Sequence, residues 1–179
     1  MIDTTLAKRY AKALVKIGVE RNALDKYGRD LADLAQLMGI SKDFREVLEN
    51  PVFPREEKKR VAGVIFDKLG ADPMTRNFVN LLIDRKRIDQ LVGIEKAFRY
   101  EVDEIRGITR GEVSSAIALD DGELNGITAS LSKITGKMVI LTPTVNPSLI
   151  GGLVAKVGDM VFDGTIRTQL NQLKESLKG

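Results

Sequence analysis

Cysteine, histidine and tryptophan are all absent from this sequence of 179 residues. Without thiols there are no disulfides, no thiolate metal sites and no cysteine nucleophile, and without imidazole the usual proton shuttle near neutral pH is missing. Carboxylate-bound metals, Ser/Lys catalysis and paired-carboxylate catalysis stay chemically open. Three tyrosines are few for base stacking. No apolar run approaches the roughly 18 residues of a transmembrane helix. Met1-Ile2-Asp3-Thr4-Thr5 leads into Lys8, Arg9, Lys12 and Lys16, with no apolar core of the kind a signal peptide needs. The expectation is a protein that stays where it is made and reaches a membrane only through partners.

Charge of a single sign is also lacking. The net charge is +3, but residues 1–105 carry 20 basic against 18 acidic side chains and residues 106–179 carry 8 against 7. A basic arm or tail for nucleic acid is therefore absent. An apolar content of 43% is enough for packed cores in one domain or two small ones.

The first hundred residues read as short amphipathic helices. Ala7, Tyr10, Ala11, Leu14 and Ile17 mark one face of a first helix, and Leu24, Tyr27, Leu31, Leu34 and Met38 mark a second. Ser41 is placed to cap a third, carrying Phe44, Val47 and Leu48, which must stop at Asn50-Pro51. Pro54 opens a fourth, with Val61, Val64, Ile65 and Leu69 as its stripe and Gly70 as its stop. Asp72-Pro73 starts a fifth, apolar on more than one face through Phe78, Val79, Leu81, Leu82 and Ile83. A sixth runs through Ile88, Leu91, Phe98, Val102 and Ile105 to Gly107.

After Gly107 the pattern changes. Glu112 to Leu119 alternates as a strand, Asp120-Asp121-Gly122-Glu123 starts a helix ending at Gly136, and Met138 to Thr142 is a second strand. Asn146-Pro147 is a turn, Leu153 to Val157 a strand, and Gly158-Asp159 a tight connection into Met160 to Phe162. A last helix carries Ile166, Leu170, Leu173 and Leu177, with Lys174 and Lys178 near its end. The expected fold is α+β: a six-helix bundle over residues 1–106, then a small βαββα module over 107–179.

Chemical motifs are few. Gly136-Lys137 lacks the earlier glycine of a phosphate loop, and no G-x-G-x-x-G occurs. The triplets Lys58-Lys59-Arg60 and Arg85-Lys86-Arg87 are flanked by Glu56, Glu57, Asp84 and Asp89, as on a solvated helix surface. Asp120 and Asp121 sit where a helix wants acidic caps. The apolar fifth helix is either a fully buried central helix or one wall of an exposed groove, and Gly151-Gly152 reads as a close backbone approach or bulge.

The run from Val145 to Arg167, VNPSLIGGLVAKVGDMVFDGTIR, closely resembles the signature of the delta subunit of F-type ATP synthases, called the oligomycin-sensitivity-conferring protein in mitochondria. Ala7-Lys8-Arg9-Tyr10-Ala11-Lys12-Ala13-Leu14 resembles that family's opening helix and Asn77 to Ile88 its fifth. The resemblance implies a non-catalytic subunit of the peripheral stalk, a stator that keeps the catalytic head from turning. It implies no cofactor. The partners it implies are the N-terminal helix of an alpha subunit, held between the first and fifth helices, and the C-terminal region of the b subunits, met by the smaller module. Carried over by position, the groove wall is Ala7, Tyr10, Ala11 and Leu14 with Phe78, Leu81, Leu82 and Arg85. Gly151, Gly152, Leu153 and the final helix are candidates for the second interface. The implied location is the cytoplasmic face of a bacterial inner membrane, or an organelle after processing.

Two other classes of function compete. A basic helical nucleic-acid-binding module would show affinity that falls steeply with salt. A carboxylate-dependent hydrolase would depend on Asp120 and Asp121.

Overall fold

The computed structural model describes residues 4–176. The chain divides into two compact units, Met1–Val102 and Asp103–Gly179. No helix among the described residues is long and apolar enough to cross a membrane.

The first unit consists of α1 (Thr4–Glu20), α2 (Leu24–Ile40), α3 (Lys42–Glu49), α4 (Arg55–Leu69), α5 (Pro73–Asp84) and the body of α6 (Leu91–Ile105), with a single 3₁₀ turn, Ile88–Gln90, leading into α6. Local chemistry sets the ends. The Phe44 amide donates to Ser41 Oγ at 3.2 Å and the Met74 amide to Asp72 Oδ1 at 2.8 Å, so both helices begin with a side-chain cap. Gly70 closes α4 in the left-handed region at φ 58°.

The core is continuous. Tyr27, Leu31, Leu34 and Met38 of α2 are fully buried, together with Phe66, Leu82, Leu91, Ile94 and Phe98. The fourth helix departs from its expected face: Val64 is exposed, and Lys58, Ala62 and Phe66, one turn apart, point inward instead. The buried Lys58 ammonium donates to Leu48 O at 2.7 Å, which supplies the last turn of α3 with a donor. Asp30 is also buried, accepting from Lys26 Nζ at 2.6 Å and from the Asp72 amide at 2.8 Å. Lys26 further donates to Gly70 O at 2.8 Å, so this cluster ties the start of α5 to α2.

The second unit holds β1 (Ile108–Ser115), α7 (Asp121–Thr135), β2 (Met138–Val145), β3 (Leu153–Val157), β4 (Met160–Asp163) and α8 (Ile166–Ser176). The mixed sheet has the order β2-β1-β3-β4, with β1 and β2 parallel across the α7 crossover and the other pairs antiparallel. The tight connection expected at Gly158-Asp159 is present, with Gly158 at φ 58°, and because Met160–Asp163 pairs with β3 as a strand in its own right the module is βαβββα rather than βαββα.

The first strand lies earlier than the alternation of 112–119 suggests. Pairing with β2 begins at Ile108↔Met138, directly after Gly107, and ends at Ser115, whose hydroxyl donates to Ile117 O at 2.6 Å. Val113, Leu131, Val139, Ala155 and Val157 form a small separate core beneath α7. In α8, Ile166 and Leu170 are exposed. The side chain of Leu173, and residues Leu177 and Lys178, lie outside what is described, as do Met1 to Asp3.

Candidate partner-binding site

Helices α1 and α5 meet through two aromatic rings. Tyr10 and Phe78 pack edge to face, with centroids 6.2 Å apart and planes inclined at 73°. Behind this contact, part of the expected groove wall is buried. Ala7, Ala11, Leu14 and Leu82 are at most 2% exposed and belong to the unit's own core, and Phe78 is buried beside them. Side chains already packed on neighbours have no surface left for a partner.

What remains open is the flank of each helix. On α1, Leu6, Tyr10 and Ile17 are half-buried and Ala13 is exposed. On α5, Met74 is half-buried, Leu81 is 43% exposed and Arg85 is exposed. The residues on α1 (6, 10, 13, 17) and those on α5 (74, 78, 81, 85) share one helical spacing, so each set forms a stripe along its helix. Leu6, Ala13, Ile17 and Met74 lie on these stripes beyond the residues expected for the wall. Their signal was present as a second stripe next to the core stripe, but burial was needed to tell the two apart.

Gly151 and Gly152, expected at the second interface, pack closely against the start of α8. A Cβ on Gly151 would lie 2.5 Å from Ile166 Cδ1, and one on Gly152, which has φ 81°, would lie 2.3 Å from Gly164 O. The Ile166 amide donates to Gly151 O at 3.1 Å and the Gly164 amide to Leu153 O at 2.9 Å. The glycine pair therefore seats the start of α8 against β3 and offers a partner no side chain. Leu153 is half-buried against the small core.

The rival chemistries find no footing in these positions. The Asp120 carboxylate accepts from the Glu123 amide at 2.7 Å while Glu123 Oε2 accepts from the Asp120 amide at 3.0 Å, a reciprocal capping box. Among the described residues no group of three or more acidic side chains could hold a metal. Of the first basic triplet, Lys58 is turned inward rather than solvated, and Lys59 pairs with Asp84 at 2.7 Å and Glu56 at 3.6 Å. That pairing, led by the hydrogen bond to Asp84, holds the Lys59 ammonium above its ordinary pKa.

The sequence matches the family described as ATP synthase delta (OSCP) subunit over residues 6–177. ATP synthase subunit delta of Desulfosudis oleivorans is 43% identical over 99% of this chain and 97% of its own length. The subunit delta of Geobacter metallireducens is 39% identical over 99% of both chains. A chain in the mitochondrial ATP synthase hexamer of Toxoplasma gondii, solved by cryo-electron microscopy, superposes with a TM-score of 0.72 over 97% of this chain and 98% of that one. Its identity is 22%, so that likeness speaks to the fold. A match along nearly the whole length, joined to a helical unit and a small mixed-sheet unit, places this chain in the ATP synthase delta (OSCP) subunit family.

Proposed function

We propose that this chain is a non-catalytic stator subunit of an F-type ATP synthase, joining the catalytic head to the peripheral stalk so that the head does not turn with the rotor. The observation that carries this reading is the pair of apolar stripes beside the Tyr10–Phe78 contact, within a chain of this family. The first unit would receive the amphipathic N-terminal helix of an alpha subunit between α1 and α5. Leu6, Tyr10, Ala13, Ile17, Met74 and Leu81 would supply its apolar contacts and Arg85 its polar rim.

The second unit would meet the C-terminal region of the b subunits, using Leu153 and the exposed Ile166 and Leu170 of α8. Two linked sites raise the effective concentration of each partner at the other, so a tether of this design needs slow dissociation and no chemistry. The work site would be the cytoplasmic face of a bacterial inner membrane, reached through partners, or an organelle after processing.

Calorimetric titration of the full chain with a peptide of the alpha N-terminus tests the first interface. Saturable binding with a one-to-one stoichiometry is expected, and no heat at high peptide concentration would remove the reading. Loss of head attachment to membranes when this chain is withheld from a reconstituted complex tests the tether itself.

A further inference from the structure

At the C-terminal end of α5 the first unit contains a cavity of about 520 Å³ between the α3–α4 connection, the start of α4 and the 3₁₀ turn. That volume lies within the range of small-molecule sites, roughly 300–1,000 Å³. Its apolar lining comes from Phe53, Ile83 and Ile88, the last two buried and held by the core. Its cationic lining comes from Arg55, Lys58 and Lys86.

The three cations are not neutralised by ion pairs. Lys58 gives one of its three N–H donors to Leu48 O, and neither Arg55 nor Lys86 has a salt-bridge partner among the described residues. Two carboxylates, Glu49 and Asp89, line the same cavity, and that of Asp89 accepts from Gln90 Nε2. Burial, and then the nearby Lys86 charge, hold the Lys58 ammonium below the usual lysine range, as expected for positive groups facing one another in a partly dry space.

Lys86 also stands in an unusual backbone state. It occupies the left-handed region at φ 55°, where its amide donates to Ile83 O at 3.0 Å and the Arg87 amide donates to Leu82 O at 2.8 Å to close α5. Glycine would fill that position with less strain. The lysine there adds a side chain that lines the cavity, and strain of this kind is found at sites that the surroundings hold in place.

We propose that this cavity binds a small organic anion with an apolar body, its acid group meeting Lys86, Arg55 and the free donors of Lys58 and its body resting on Phe53, Ile83 and Ile88. The site is separate from the stripes of α1 and α5 and does not rest on the stator reading.

Anilinonaphthalene sulfonate is a suitable probe of this chemistry, and phenylnaphthylamine is its uncharged counterpart. Titration of the full chain, followed by proton–nitrogen correlation NMR and by fluorescence, should give saturable binding of the sulfonate with shifts grouped on Phe53, Lys58, Ile83 and Ile88. The Arg55→Gln and Lys86→Gln variants should each weaken it several-fold, and the double variant by at least about tenfold, whereas Lys86→Arg should retain affinity. Arg55 and Lys86 are exposed, so the variants should keep the parent circular dichroism. Shifts that group elsewhere, equal affinity for the uncharged probe, or unchanged binding by the double variant would overturn the proposal.

Discussion

Tyr10 of α1 and Phe78 of α5 meet edge to face at 6.2 Å, yet only the phenylalanine is buried. The contact divides inward residues, which hold the bundle together, from outward residues, which are available to a second chain. Adjacent positions on one helix therefore have different jobs.

Leu81 and Leu82 make that division measurable. Leu81→Asp should weaken capture of an alpha N-terminal peptide by at least about tenfold, since a buried leucine side chain contributes roughly 1.5–3 kcal/mol, while the helical circular dichroism is unchanged. Leu82→Ala should instead lower unfolding free energy by about 2–5 kcal/mol, read from urea denaturation. Tyr10→Asp should behave like Leu81→Asp. Unchanged peptide affinity in both outward variants would defeat the groove assignment.

Gly152→Ala should destabilise the second unit selectively. The new methyl would sit 2.3 Å from Gly164 O on a residue at φ 81°, and the left-handed conformation alone costs roughly 1–2 kcal/mol for a residue with a Cβ. Hydrogen exchange should accelerate in β3, β4 and α8 and stay at parent rates in α2 and α5. Uniform protection across both units would refute this account of the glycine pair.

Asp163 should make the α8 junction sensitive to acid. Its carboxylate accepts from the Thr165 amide at 2.9 Å and from the Thr168 hydroxyl at 2.8 Å, and these bonds, the Thr165 amide first, hold its pKa below the ordinary aspartate value. A depressed carboxylate contributes stability that is complete above its unfolded pKa, about 3.9, and is lost as pH falls through the lower folded value. Urea midpoints for the second unit should therefore fall below about pH 4, and Asp163→Asn should flatten that limb. An identical acid limb in the variant would assign it to other carboxylates.

Lys86→Gly should stabilise the first unit. Removing a left-handed lysine relieves roughly 1–2 kcal/mol, and the greater freedom of glycine in the unfolded chain returns about 0.5–1 kcal/mol. A net gain near 1 kcal/mol should appear as a higher thermal midpoint. A lower midpoint would mean that the Lys86 side chain contributes packing beyond the strain it carries.

Much of the fold was legible because its signals are local. Ser41, Asp72 and Asp120 cap helices at the positions their spacing marks, and Gly70 and Gly136 end helices with positive φ. The first strand was less legible, since Ile108 to Arg110 do not alternate strongly and gain strand form from pairing with Met138 to Ile140. The candidate groove was half legible. Of the residues named for it, Tyr10, Leu81 and Arg85 keep exposed surface, while Ala7, Ala11, Leu14 and Leu82 are buried in the unit's own core.

By itself the sequence determined the order of elements, their caps, the absence of thiol and imidazole chemistry, and the run from Val145 to Arg167 that marks the family. Tertiary structure alone decided which flank of α1 and α5 stays open, that Lys58 turns inward to Leu48 O, and that Gly151 and Gly152 serve an internal seat. The physical reason is that capping and periodicity act through neighbours in the chain, whereas burial is a relation between segments far apart in it. A helix with apolar residues on two adjacent stripes does not say which stripe its neighbours will cover.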